Sequence, residues 1–291
     1  MWEVKEKINT SASLTQPKEF IMLKQSQEDL EETFKVRITF LKEQVKLMTD
    51  IFENARKNYA TKTKYRIYNY RYFCIGSLLI ARNNADATAH IIDDNPYQIH
   101  YISRNMCELT VNLYYIFDDD SLREERLKRY IDFNHAVLPY KAMEIIKKYP
   151  DVFKDTKGEE RFAEIERKLD EFRMKYKNFS KNYWSGMPLD KMIWKLQNKE
   201  TRDDLLALCN FVVKSNNDYL HPSWHYMNKV IKDTINRTMD YETRIMLLST
   251  IFAAGNLIIK KFLDQFPKGR PDFLKRKEEL KGWFHSVKNR G

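Results

Sequence analysis

The sequence predicts an all-α fold, a single multi-helix bundle, and three observations carry that expectation. Glycine and proline number only 7 and 8 in 291 residues, too few to furnish the tight turns of a β-protein. Apolar residues recur at helical spacing: Phe34, Ile38, Leu41, Val45, Met48, Phe52 and Ala55 step by four and three in turn, which holds them on one helix face. Helix-stopping groups, Asp93-Asp94-Asn95-Pro96 and Asp118-Asp119-Asp120 among them, then divide the chain into helix-length pieces.

Taken in order, residues 1–22 contain the polar run Asn9-Thr10-Ser11-Ala12-Ser13 before Pro17 and read as a flexible arm. A long amphipathic helix follows to about Tyr59, with Ser26 as its cap and Asp29 three residues on. Further helices are predicted over 64–92, 97–117 and 122–148, the last with a kink at Pro139 and a stop at Tyr149-Pro150. The charged stretch 151–181 reads as an outer helix, and Tyr183-Trp184-Ser185-Gly186-Met187-Pro188 as a packed loop. Helices over 189–196, 201–220, 223–235, 240–266 and 270–286 complete the chain. The organisation expected is an arm (1–22), a helical domain (23–266) and a basic C-terminal helix or tail (267–291).

Composition narrows the setting. A hydrophobic content of 43% suffices for a sizeable core. Cys74, Cys107 and Cys209 lie far apart, each in an apolar run, without the CxxC spacing of a zinc site, and read as buried free thiols of a cytoplasmic protein. The N-terminus alternates charged and apolar residues with no apolar leader core, which argues against secretion. The best membrane candidate, Ile245 to Ile259, is uncharged, but its reach of roughly 22 Å falls short of a hydrocarbon core of about 30 Å, so a buried core helix is expected and no membrane span. The net charge of +10 is concentrated from Lys260 onward, where ten lysines and arginines face four acids. That tail is the region suited to general nucleic-acid binding, or simply a solvated helix face.

One helix stands out chemically. From Tyr97 to Phe117 it is apolar or aromatic on nearly every side, and its only formal charges are Arg104 and Glu108, four residues apart. A helix hydrophobic all round is usually buried, so the two are expected as a buried pair needing further partners, either other helices or a ligand. Arginine's planar fork suits phosphate or carboxylate. A second cluster, Lys214 to His225, contains His221-Pro222. The proline disfavours helix at His221, which places that histidine at a helix end, where it could serve as acid or base or simply cap the helix or satisfy the core. A two-histidine metal site with His225 has little support, and no cofactor is called for. Arg129 and Asp132, three apart, read as a pair on one helix face. No phosphate-cradling glycine loop, GxSxG elbow or HExxH helix is present.

The run Arg104-Asn105-Met106-Cys107-Glu108-Leu109, then Arg129-Tyr130, Tyr183-Trp184-Ser185-Gly186, and Ser215 through His221-Pro222-Ser223 resembles a bacterial family known as domain of unknown function 5677, over about residues 60–260. The resemblance implies a helical domain with a polar centre and no assigned activity. A more distant likeness is to HEPN domains, which include metal-independent ribonucleases of toxin and phage-defence systems. It implies that His221 moves a proton while an arginine stabilises charge on the phosphate. The window before His221 holds Lys214, Ser215 and Asn216 but no arginine, so Arg104 would supply the guanidinium.

Two functional readings follow. In the first, Arg104, Glu108, Lys214 and His221 form a pocket for RNA or another phosphate-bearing ligand, with metal-independent RNA cleavage as its most concrete form. In the second, the Arg104–Glu108 pair is structural, fixing helix register and holding the fold, and the chain is a non-enzymatic interaction or regulatory module of a bacterial defence system, binding a protein partner or a second copy through surfaces such as the Tyr183-Trp184 loop.

Overall fold

A computed structural model describes residues 26–59, 69–93, 96–149, 159–220 and 241–286, and of 96, 159, 211, 213–220 and 285 the backbone alone. Among these residues there are nine helices and no strands: α1 (Gln27–Tyr59), α2 (Tyr70–Ile91), α3 (Pro96–Ile116), α4 (Arg123–Lys148), α5 (Glu159–Lys175), α6 (Leu189–Trp194), α7 (Lys199–Leu220), α8 (Tyr241–Gln265) and α9 (Arg270–Ser286). The arm (1–22) and the helix expected over 223–235 lie outside the described residues.

The centre of the molecule is α8. By length and composition it could cross a membrane, yet most of its surface is covered by protein. Its buried residues, among them Leu247, Leu248, Ile251, Phe252, Ile258, Ile259 and Phe262, point in several directions, and α1, α2 and α3 all pack on it. Each fully buried side chain of this size contributes about 1.5–3 kcal/mol, which makes α8 a large contributor to hydrophobic stabilisation.

Helix α1 begins as the sequence requires. The Ser26 Oγ accepts from the Asp29 amide at 3.1 Å, and the Ser26 amide donates to the Asp29 carboxylate at 3.2 Å, so each end satisfies the other. Its buried stripe includes Phe34, Leu41, Met48 and Ala55. The centre of that stripe is rotated from the expected one, so that Arg37, Gln44 and Ile51 are buried while Ile38, Val45 and Phe52 are only partly covered. The polar intruders are partly accounted for, although Arg37 Nε and Gln44 Oε1 are buried without a hydrogen-bond partner. Gln44 donates to the Phe252 carbonyl at 2.8 Å and to Asn256 Oδ1 at 3.0 Å. The two helices approach closely because α8 has Gly255 here: a Cβ at that position would lie 2.5 Å from Gln44 Oε1. Arg37 donates to Ser249 Oγ and lies 4.5 Å over the Phe284 ring.

Helix α9 closes this side, with Phe284 stacked on Phe252 at 4.2 Å. Of its basic residues, Arg276 pairs with Asp50 of α1 and Lys277 with Glu278. On the opposite side α4 and α5 form an outer hairpin, and α4 continues through Pro139 as one helix.

The cysteine reading requires correction. Cys74 is a buried free thiol, but Cys107 of α3 and Cys209 of α7 form a disulfide, with their Cα atoms 6.0 Å apart. Sequence spacing concealed the pair because 102 residues separate them. They meet only because α7 packs along α3.

Candidate functional site

Helix α3 buries Ile99, Ser103, Met106, Cys107, Thr110 and Val111 toward its neighbours and turns a different column of residues outward. Arg104, Glu108 and Asn112 follow one another at intervals of one turn along that column. Arg104 Nε donates to Glu108 Oε1 at 3.0 Å, and the two side chains are 40% and 47% exposed. The expectation of a buried pair requiring partners from other helices is therefore corrected. An aromatic residue one turn before the pair is on the surface too: Tyr101 is 55% exposed. Composition misled because an aromatic surface residue reads like a core residue. Neither Arg104 nor Glu108 has an ion-pair partner from another helix among the described residues, and the terminal nitrogens of Arg104 have no partner among them.

One turn further along, the column enters an aromatic cluster. Asn112 Oδ1 accepts from Trp184 Nε1 at 2.8 Å. The Trp184 ring meets Tyr115 edge-on at 5.8 Å and Tyr130 at 5.3 Å, and Tyr130 in turn meets Phe73 of α2. Burial holds the Tyr130 phenol above its ordinary range; a hydrogen bond with Asn134 opposes this, and the Glu108 carboxylate reinforces it. Beside the Arg104–Glu108 pair, Asn84 of α2 donates to Asn105 at 2.9 Å.

The loop carrying Trp184 is held in place by Arg129. Its guanidinium donates to the Asn178 carbonyl at 2.5 Å and lies 5.2 Å over the Tyr176 ring. Gly186 turns the chain with φ +79°, and a Cβ there would come within 2.5 Å of the Asn178 oxygen and 2.9 Å of the Arg129 guanidinium. The expected Arg129–Asp132 pair is not formed. Asp132 instead takes Lys175 at 2.5 Å and the Tyr176 hydroxyl at 2.8 Å, both from the α5 side.

These contacts bring together Arg104–Glu108, Arg129–Tyr130 and Trp184–Gly186. Lys214 lies in α7, five residues past Cys209, with its side chain outside the described residues. His221 lies outside them altogether. A shallow cleft of about 250 Å³ occurs elsewhere, between α4 and α5, lined by Asp132, His135, Phe172 and Lys175 among others. Its charges are largely engaged, Lys175 with Asp132 and the lining Lys168 with Glu164. Among the described residues no group of three or more His, Cys, Asp or Glu is placed to hold a metal.

The convergence involves the same motifs that suggested a family. The model of a family of unknown function, DUF5677, matches residues 72–239, more than half of the chain. The chain is a member of the DUF5677 family. No curated protein and no solved structure matches it. The DUF5677 region starts inside α2 and stops just before α8, so the outward column of α3, Arg129, Tyr130 and the Trp184 loop all fall within it, whereas α1, α8 and α9 do not.

Sequence reading missed Asn112. A signal was present, since Arg104, Glu108 and Asn112 continue a single four-residue interval. The importance of Arg129 as a loop anchor had no such signal, because its partner is a backbone carbonyl 49 residues away.

Proposed function

We propose that this DUF5677 protein binds a phosphate-bearing ligand on the outward face of α3, with metal-independent RNA cleavage as the most concrete version. The observation that carries this reading is the state of Arg104. Its Nε is held by Glu108, which orients the guanidinium, while its terminal nitrogens have no partner among the described residues and the side chain is 40% exposed. An oriented fork of that kind suits bidentate contact with a phosphate. The aromatic group of Tyr130 and Trp184 lies further along the same face, at Asn112.

In the ribonuclease version, His221 takes the proton of an RNA 2′-hydroxyl as its oxygen attacks the adjacent phosphorus, the P–O5′ bond breaks and the leaving O5′ takes a proton from water, giving a 2′,3′-cyclic phosphate and a 5′-hydroxyl. Arg104 then stabilises the charge on the phosphate oxygens. A toxin or phage-defence setting in the cytoplasm belongs to the same proposal. Purified protein incubated with total RNA in EDTA should cleave it, and both His221→Ala and Arg104→Ala should abolish cleavage. Intact RNA at high protein concentration would remove the nuclease version.

The second reading, an interaction or regulatory module, is favoured by a different surface from the one first expected. Trp184 is buried in the cluster, so the Tyr183-Trp184 loop does not offer its indole to a partner. Helix α4 does present an apolar stripe. Leu138, Ile145 and, just past the end of the helix, Tyr149 are spaced by seven and four residues and are each about half exposed. Leu138→Asp with Ile145→Asp should abolish a partner or self-association on this reading, as measured by analytical ultracentrifugation of the protein alone and with cell extract. Unaltered association would sink it.

A further inference from the structure

The paired cysteines lie at a junction whose two sides are unequally held. Cys107 is fully buried in α3, which is packed by α2, α7 and α8. Cys209 is 6% exposed on α7, a helix that among the described residues packs on α3 and α6 and more lightly on α8. The residues around Cys209 on the outer side of α7, Asp203, Asp204, Ala207 and Asn210, are exposed. A helix held mainly along one edge opens locally at lower cost than the core it rests on. With the Cα atoms 6.0 Å apart, the two thiols can join or separate without a change of backbone path.

We propose that Cys107 and Cys209 form a reversible redox lock that fixes α7 on α3 when oxidised and releases it when reduced. The oxidant suited to the step is a small disulfide such as oxidised glutathione. When α7 opens, the Cys209 thiolate attacks one glutathione sulfur, forming a mixed disulfide and expelling one glutathione thiolate. Cys107 then attacks the Cys209 sulfur, closing the protein disulfide and expelling the second glutathione. The cysteine pair loses two electrons, the glutathione disulfide gains them, and the two cysteine protons pass to the two glutathione thiols. Cys74 stays outside this chemistry, because burial pushes its thiol up and no second sulfur is beside it among the described residues.

The lock is independent of what the α3 face binds. It governs how far α7, which bears Lys214 and leads toward His221, can move from the helix bearing Arg104. The full chain, equilibrated with oxidised glutathione or with dithiothreitol, would be denatured under quench and labelled with a maleimide. Mass spectrometry should count one label after oxidation and three after reduction. Hydrogen exchange should be slower across 199–220 in the oxidised form, and its melting temperature should be higher by roughly 5–10 °C. Cys107→Ala or Cys209→Ala should remove the response to oxidant, and the wild-type label counts remain decisive if either variant fails to fold. Three labels after oxidation would overturn the proposal. So would one label after dithiothreitol treatment of the folded protein, or equal exchange across α7 in the two forms.

Discussion

The indole of Trp184 donates to the side-chain oxygen of Asn112 across 2.8 Å, joining two residues 72 positions apart. The bond pins an otherwise irregular loop to α3 and leaves Trp184 only 7% exposed. Trp184→Ala should cost about 3–5 kcal/mol by emptying the site between Tyr115 and Tyr130. Asn112→Leu should cost less, about 1–3 kcal/mol, by leaving the indole N–H unsatisfied. Urea unfolding of each variant checks the order, and it would be wrong if Asn112→Leu proved the more damaging.

Two glycines of the matched region make a matched test of backbone chemistry. At Gly186, with positive φ and the Asn178 carbonyl in the way, Gly186→Ala should destabilise by about 1–3 kcal/mol. At Gly76, mid-helix in α2, an added Cβ meets no atom within 4 Å, and Gly76→Ala should stabilise by about 0.5–1 kcal/mol. Thermal melts of the two variants should therefore shift in opposite directions.

Because the Arg104–Glu108 pair is local and half-exposed, Arg104→Ala should cost only about 0.3–0.5 kcal/mol of stability. A near-normal melting temperature would let any loss of phosphate binding or RNA cleavage be read as loss of function. A large fall in melting temperature would instead assign Arg104 to the architecture.

Tyr176 provides a pH signature. Burial first, then its hydrogen bond to Asp132, pushes the phenol up to about 12 from an ordinary value of 10.0. A raised folded-state value means that the protonated phenol stabilises the fold fully below pH 10, and that this contribution disappears as pH rises from 10 through about 12. Tyr176→Phe should remove that component of the alkaline loss of stability. Denaturant midpoints of wild type and variant, compared between pH 9 and 12, should show the wild type falling more steeply.

Much of the secondary structure was legible in the sequence. The Ser26 cap, the steps of four and three along α1 and the prolines and aspartates between helices are local signals, and they placed α1, α3, α4 and α8 within a residue or two of their observed ends. The site was less legible, for physical reasons that differ by residue. Arg104 and Glu108 were visible as charges, but Tyr101 and Ile80 are apolar residues on the surface, so their helices looked more buried than they are. The partners of Asp132 come from another helix, and Cys107 meets Cys209 through the packing of α7 on α3. Such partners depend on tertiary proximity, which local periodicity does not encode.

The position of α8 beyond the end of the matched region has a practical side. Helices α2 and α3 rest on it, so the stretch shared across the family is not the unit that folds. A fragment trimmed to residues 72–239 would leave the faces of α2 and α3 that pack on α8 uncovered, and it would aggregate. Inheritance and cooperativity have drawn different borders through the same chain.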